Sequence, residues 1–264
     1  MPRGRRCISP RSTSWSTPTG AHLARQRRTA TRRRSEMSRV KLFGAIPRRP
    51  GMSAREFHDH YRYPHGTIGM TISSMRDYVQ SHQIHSELID DRQTRFEGCS
   101  EIWFDSLDDA LNVRTDPIYI AHIGPDEPQL AEVEHLAFVI AEEEVLKSGP
   151  DHREPLPAAE AAWDERRLPT TIKLLQFIEQ SGDQPWDRED DFELGERLGA
   201  LRHVRCRPVP GTTEGAFAVG VRELWWGSEY DLEQKVARDP SAWHELIDRP
   251  QQWVGYVARA ERFA

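Results

Sequence analysis

Residues Gly51 to His65 read GMSAREFHDHYRYPH, and together with Asp77 to His85, DYVQSHQIH, they carry the strongest structural signal in the chain. Ser53 followed three residues later by Glu56 is a capping box. The serine oxygen accepts from the glutamate amide, and the glutamate reaches back to the serine amide. The helix that starts there puts Phe57 and Tyr61 on one face, four residues apart. Pro64 has no N–H to offer and disfavours helical geometry at Tyr63, so the helix must end or kink at that point. His65 falls just past the break, on the extension of the Phe57/Tyr61 face. A titratable ring at the end of an apolar face can deliver one polar group to a greasy pocket. A surface histidine in a turn satisfies the same pattern.

Working outward, Val40–Ile46 (VKLFGAI) is β-rich and stopped by Pro47-Arg-Arg-Pro-Gly, which predicts a strand and a turn. Thr67–Met75 reads as a second helical piece. Asp77–His85 alternates as a strand, with Tyr78, Gln80, His82 and Ile84 on one side and Val79, Ser81, Gln83 and His85 on the other. Glu87–Glu97 is a polar loop. Gly98–Asp105 (GCSEIWFD) is a further strand with Glu101 and Trp103 on one side and Ile102 and Phe104 opposite. Ser106–Arg114 is a helix with Ser106 as N-cap and two acids in its first turn. A polar stretch broken by prolines follows. Glu134–Val145 closes the unit as a fourth strand, in which Glu142–Glu144 reads as a solvated end. The order β-α-β-β-α-β is the split unit of ferredoxin-like α+β folds.

The pattern then recurs. Residues 147–169 are rich in Pro, Ala and charge and read as a linker. Beyond them Ile172-Lys-Leu-Leu175 answers Val40-Lys-Leu-Phe43, ELWWGS at 223–228 answers EIWFDS at 101–106, Asp239-Pro answers Asp116-Pro, and Trp253–Ala260 answers the closing strand. Equivalent pieces in order, two of them at offsets of 122 and 123 residues, indicate a repeated supersecondary unit. The expected organisation is a basic leader over 1–36, a first unit over 37–146, the linker, and a second unit over 170–264.

The net charge of −6 divides unevenly: residues 1–36 carry ten Arg against the single acid Glu36, which leaves −15 on the remainder. An acidic body argues against a nucleic-acid partner, since phosphate binding needs a basic face. Residues 1–36 have the composition of a transit peptide, of a basic arm, or of translated leader ahead of Met37, and predict disorder in each case. No apolar run is long enough to span a membrane. Cys99 and Cys206 are isolated and show no CxxC spacing, which suggests a reducing, cytoplasmic setting. His58 and His60 lie two apart on a helix and point away from each other, so they do not make a metal pair. GxGxxG, P-loop, GxSxG and HExxH motifs do not occur, and no cofactor is predicted.

KLFGAIPRRPGMSAREFHDHYRYPHG, RDYVQSH, EIWFDSLDDA and the acidic AEEEV, in that order over residues 39–146, resemble the EthD-like family of the dimeric α/β-barrel superfamily. The second half resembles it as a degenerate copy. The resemblance implies two ferredoxin-like sheets packed into a barrel, here within one chain, and leaves room for a homodimer. It implies a pocket between sheet and helices for a small apolar or aromatic ligand. Related barrels carry out cofactor-free monooxygenation, polyketide cyclisation or decarboxylation, lactone isomerisation and, in some branches, haem chemistry. The family histidine after the first helix maps onto His65, and the Tyr and His of the second strand onto Tyr78 and His82. Tyr61 stands where the family commonly has Trp. The second half has no Pro-His pair in DFELGERLGALRHVRC, so its pocket is expected to be degenerate.

On this mapping His65 serves as general acid or base, with His82 and Tyr78 orienting substrate or relaying a proton and Glu101 fixing an imidazole tautomer. Phe43, Tyr61 and Trp103 form apolar wall. Each has a plainer reading: His82 as a satisfied sheet histidine, Glu101 as an ion-paired carboxylate, Trp103 as core. Two functions stand: a cofactor-independent small-molecule enzyme acting by oxidation or proton transfer on an aromatic, polyketide or ether-type substrate, and a non-catalytic binding or assembly protein. Whether His65 and His82 converge on an enclosed cavity separates them.

Overall fold

The structure, a computed structural model, describes residues 39–89, 95–149, 170–180, 185–213 and 216–263. The expected leader and the linker residues 150–169 lie outside the described residues. β1 (Val40–Ile46) is followed by α1 (Ala54–His60), an irregular turn over Tyr61–Gly66, β2 (Met75–Gln83), β3 (Gly98–Phe104), α2 (Leu107–Asn112), α3 (Gly124–Leu130) and β4 (Ala137–Ser148). The second half has β5 (Thr170–Gln180), α4 (Asp191–Arg197), β6 (Arg202–Pro208), β7 (Gly220–Trp226), α5 (Glu229–Arg238), α6 (Pro240–Asp248) and β8 (Gln252–Arg262).

The capping box at α1 is formed: Ser53 Oγ accepts from the Glu56 amide at 3.2 Å, and the Ser53 amide donates to Glu56 Oε2 at 2.9 Å. Pro64 breaks the helix as expected, Tyr63 leaving helical geometry at φ −141°, ψ 115° before a cis Tyr63–Pro64 bond. Of Thr67–Met75 only Thr67–Gly69 is regular helix, and Met75 already opens β2. The polar, proline-broken stretch after α2 contains α3. Its Pro125 sits in the first turn with Asp126 and Glu127, where a missing N–H costs nothing and acids suit the helix dipole.

All strand pairs are antiparallel and close a barrel in the order β1-β3-β2-β8-β5-β7-β6-β4. Each half contributes the same sub-order, β4-β1-β3-β2 and β8-β5-β7-β6. β2 joins β8 (Val79 opposite Arg262) and β4 joins β6 (Glu144 opposite Arg205), so two ferredoxin-like units form one intrachain barrel. The register fixes what faces inward. Lys41 pairs Trp103, Phe43 pairs Glu101, Val79 pairs Glu101 and Ser81 pairs Cys99, and these residues fill the barrel. Leu42, Gly44, Tyr78, Gln80, Ser100 and Ile102 have the opposite parity and face the helices. Gly98 lets α1 settle onto the sheet, since a Cβ there would come within 2.9 Å of the Tyr61 ring.

Candidate functional site

Between the outer face of β4-β1-β3-β2 and the segments Tyr61–Gly69, α2, Tyr119–Ile123 and α3 lies a cavity of about 290 Å3. Leu42, Ile72, Ile102, Ile123, Phe138 and Ile140 are among its apolar walls; Gly44 and Ser100, both small, leave its floor open. Its polar lining comes from His65, Tyr78, Ser100, Arg114, Tyr119 and Glu127. A mostly apolar cavity with a few placed polar groups is the usual form of a small-molecule site.

His65 is 7 % exposed, and its Nδ1 lies 2.9 Å from Asp126 Oδ2. The carboxylate can only accept, so Nδ1 carries a proton, and in the neutral ring the lone pair is on Nε2. The other oxygen of Asp126 accepts from His60 Nε2 at 2.8 Å. Burial pushes the Asp126 carboxyl up, but the hydrogen bonds from His65 and His60 outweigh it and hold the group below the ordinary carboxylate range. Asp126 therefore stays ionised while it orients the imidazole, and it would stabilise an imidazolium formed there.

On the floor Ser100 Oγ shares a hydrogen bond with Tyr61 Oη at 2.9 Å and lies 3.4 Å from Tyr78 Oη. Gln80 Nε2 donates to Tyr78 Oη and to the Tyr61 carbonyl, each at 2.8 Å. Burial raises both tyrosine hydroxyls above their ordinary range, so they remain donors.

The residues singled out from sequence divide into three groups. His65 and Tyr78 line the cavity, and Tyr61 stands behind it, joined through Ser100. His82 lies beneath α1 instead: its Nδ1 is 3.1 Å from His58 Nδ1 and its ring is centred 5.0 Å from that of Tyr61. Burial, then His58, Arg62 and Arg259, push its pKa down to about 2, so it is a neutral ring. Phe43, Glu101 and Trp103 are on the other side of the sheet, inside the barrel, because their strand parity opposes that of Tyr78 and Ser100. Glu101 holds no imidazole there; it binds Lys41, Lys173 and Ser81. Glu143, expected in solvent, turns inward to accept from Trp103 Nε1 at 2.6 Å. Asp126, the partner of His65, lies in the polar, proline-broken stretch to which no element was assigned from sequence. Its signal was the helix start Gly124-Pro-Asp-Glu.

The second half fills the equivalent place. By register, Gln176 and Arg222 occupy the places of Gly44 and Ser100, and His203 that of Tyr78. The buried Arg222 guanidinium donates to Gln176 Oε1 at 2.7 Å, Asp191 Oδ1 at 2.8 Å and the Trp186 carbonyl at 2.6 Å. The guanidinium carbon lies 5.5 Å from the Trp186 ring centre, and Trp186, Trp226 and Trp243 belong to one buried apolar cluster in this half. The space that holds a ligand-sized void in the first half is filled by protein.

Residues 49–134, which supply most of the helical wall and the two strands bearing Tyr78 and Ser100, match the family model of the EthD domain. An anthrone oxidase-like protein of known structure is 10% identical, with 86% of this chain and 92% of that chain covered and a TM-score of 0.50. An ethyl tert-butyl ether D family protein from Bacillus halodurans C-125 is 22% identical over 40% of this chain and 99% of its own, with a TM-score of 0.34. A dimeric protein of ferredoxin-like fold from Bacteroides fragilis is 17% identical over 40% of this chain and 98% of its own, with a TM-score of 0.32. At such identities the likeness of the first of these shows the barrel fold. No curated protein matches the chain.

Proposed function

We propose, for a chain whose first half carries an EthD domain, that it is a small-molecule enzyme in which the His65–Asp126 pair removes a proton from a compact aromatic or polyketide-like substrate. The observation that carries this reading is the aspartate-held imidazole at the wall of a largely apolar cavity. Nε2 of His65 takes the proton from an acidic C–H or phenolic O–H. Asp126 offsets the charge that develops on the ring, and the electron pair left behind becomes an enolate or phenolate. The Tyr78 and Ser100 hydroxyls, held on the floor, can donate to the oxygen that gains charge. A homodimer would use surfaces other than the sheet faces, since one face lies inside the barrel and the other is covered by helices.

The test is deuterium uptake. Anthrone, 2-tetralone and related carbon acids in D2O would be followed by NMR with the wild type, His65→Gln and Asp126→Asn. General-base catalysis is worth on the order of 10²- to 10⁴-fold. Enzyme-dependent exchange that falls by that order in His65→Gln, with the fold kept by circular dichroism, is expected. Exchange undiminished in a folded His65→Gln protein would refute the assignment.

A further inference from the structure

We propose that Arg114 selects the substrate, and that the cavity takes an aromatic or alicyclic carboxylate, its apolar body inside and its anion on the guanidinium. This rests on the reading of the cavity as a substrate site. Arg114 follows α2 and belongs to the cavity lining, yet its side chain is exposed at the mouth. Its guanidinium carbon sits 5.5 Å from the Tyr119 ring centre and 5.6 Å from that of Phe138, and both rings line the cavity. The cation is thus laid on an aromatic shelf at the entrance.

Among the described residues the guanidinium makes only a weak hydrogen-bonding contact, to the Tyr119 hydroxyl. Its carboxylate neighbour, Glu127, is 3.7 Å away through Oε2, close enough for charge to hold the group in place and too far to use its N–H donors. The other oxygen of Glu127 already accepts from Tyr119 Oη. Burial, then this hydrogen bond and the charge of Glu127, raise the tyrosine pKa against a smaller opposing pull from Arg114, so the contact persists. The protein therefore uses Tyr119 and Glu127 to fix Arg114 over an apolar void and leaves most of its planar fork of donors open at the mouth. A carboxylate matches that fork in two parallel bonds. Seated there, it leaves the rest of the molecule inside the cavity that His65 borders.

The test compares two neutral-against-charged isosteres, 2-naphthoate and 2-naphthamide, by calorimetric titration of the full chain at pH 7. A charge-assisted bidentate contact should favour the naphthoate by about tenfold to a hundredfold. Arg114→Gln, a substitution at an exposed side chain, should erase the preference, and Arg114→Lys should restore part of it. His65→Gln should leave the preference intact. Equal binding of the two probes, no binding of the naphthoate, or a preference that survives in Arg114→Gln overturns the proposal. The preference concerns binding alone. Its loss with deuterium exchange intact would sink Arg114 and spare His65, and the reverse result would do the opposite.

Discussion

Lys41 on β1 and Lys173 on β5 reach the same two carboxylates at the centre of the barrel. Lys41 binds Glu101 at 2.8 Å and also Glu223; Lys173 binds Glu223 at 2.9 Å and also Glu101. Each ammonium lies 4.2 Å from the ring centre of its own half's tryptophan, Trp103 or Trp225. Burial alone would lower the pKa of Lys41, but Glu101, Glu223 and Glu143 reverse this and raise it well above the usual value. The four charges are two copies of one Lys–Glu pair, crossed between the halves.

Lys173→Met should accordingly cost about 3–5 kcal/mol, because it strands a buried carboxylate. Adding Glu101→Gln removes the surplus charge and should return part of that loss, with a coupling of about 0.5–3 kcal/mol in urea denaturation. Additive losses would show that the crossed pairing does not exist in solution.

His82 gives the fold an acid limb. Its pKa, lowered from 6.5 to about 2, means that the unfolded chain takes up this proton before the folded one does. The contribution is complete above pH 6.5 and is lost progressively as pH falls toward the folded value. Denaturation of the wild type should therefore weaken by at most about 1.4 kcal/mol per pH unit from this residue below the unfolded pKa. In His82→Gln that part of the slope should vanish. An unchanged slope would mean that the ring is not buried neutral.

Gly44→Leu should close the cavity while sparing the barrel. A Cβ at Gly44 meets the Phe138 ring at 3.3 Å, so a longer side chain must extend into the void beside Ser100. Naphthoate binding should fall by about tenfold or more, the worth of losing one good apolar contact region. Thermal unfolding should shift by only a few degrees. Binding at wild-type strength would place the ligand elsewhere.

Much of the fold could be read from residues that act locally. The capping box, the Pro64 break and the alternation of β2 and β3 depend on neighbours within a few positions, and each appears in place. The halves were legible because VKLF and IKLL, then EIWFDS and ELWWGS, recur in the same order along the chain. Alternation also separated Tyr78 from Glu101's partners in the barrel, but it could not say which face of the sheet the helices would cover. So Glu101 and Trp103 were assigned to the wrong side of it. Asp126 was missed for a different reason: the prolines in GPDEPQL break up the pattern, although Pro125 is harmless in a first helical turn. His65 and Asp126 are 61 residues apart, and their pairing is a product of packing, not of any local signal.

The closure of β2 on β8 and β4 on β6 within one chain also has a kinetic meaning. A barrel made from two separate chains comes apart on dilution. Here the second unit is tethered to the first at a fixed, high effective concentration. It behaves as a partner that never leaves, and the cavity wall it supports stays assembled however scarce the protein becomes.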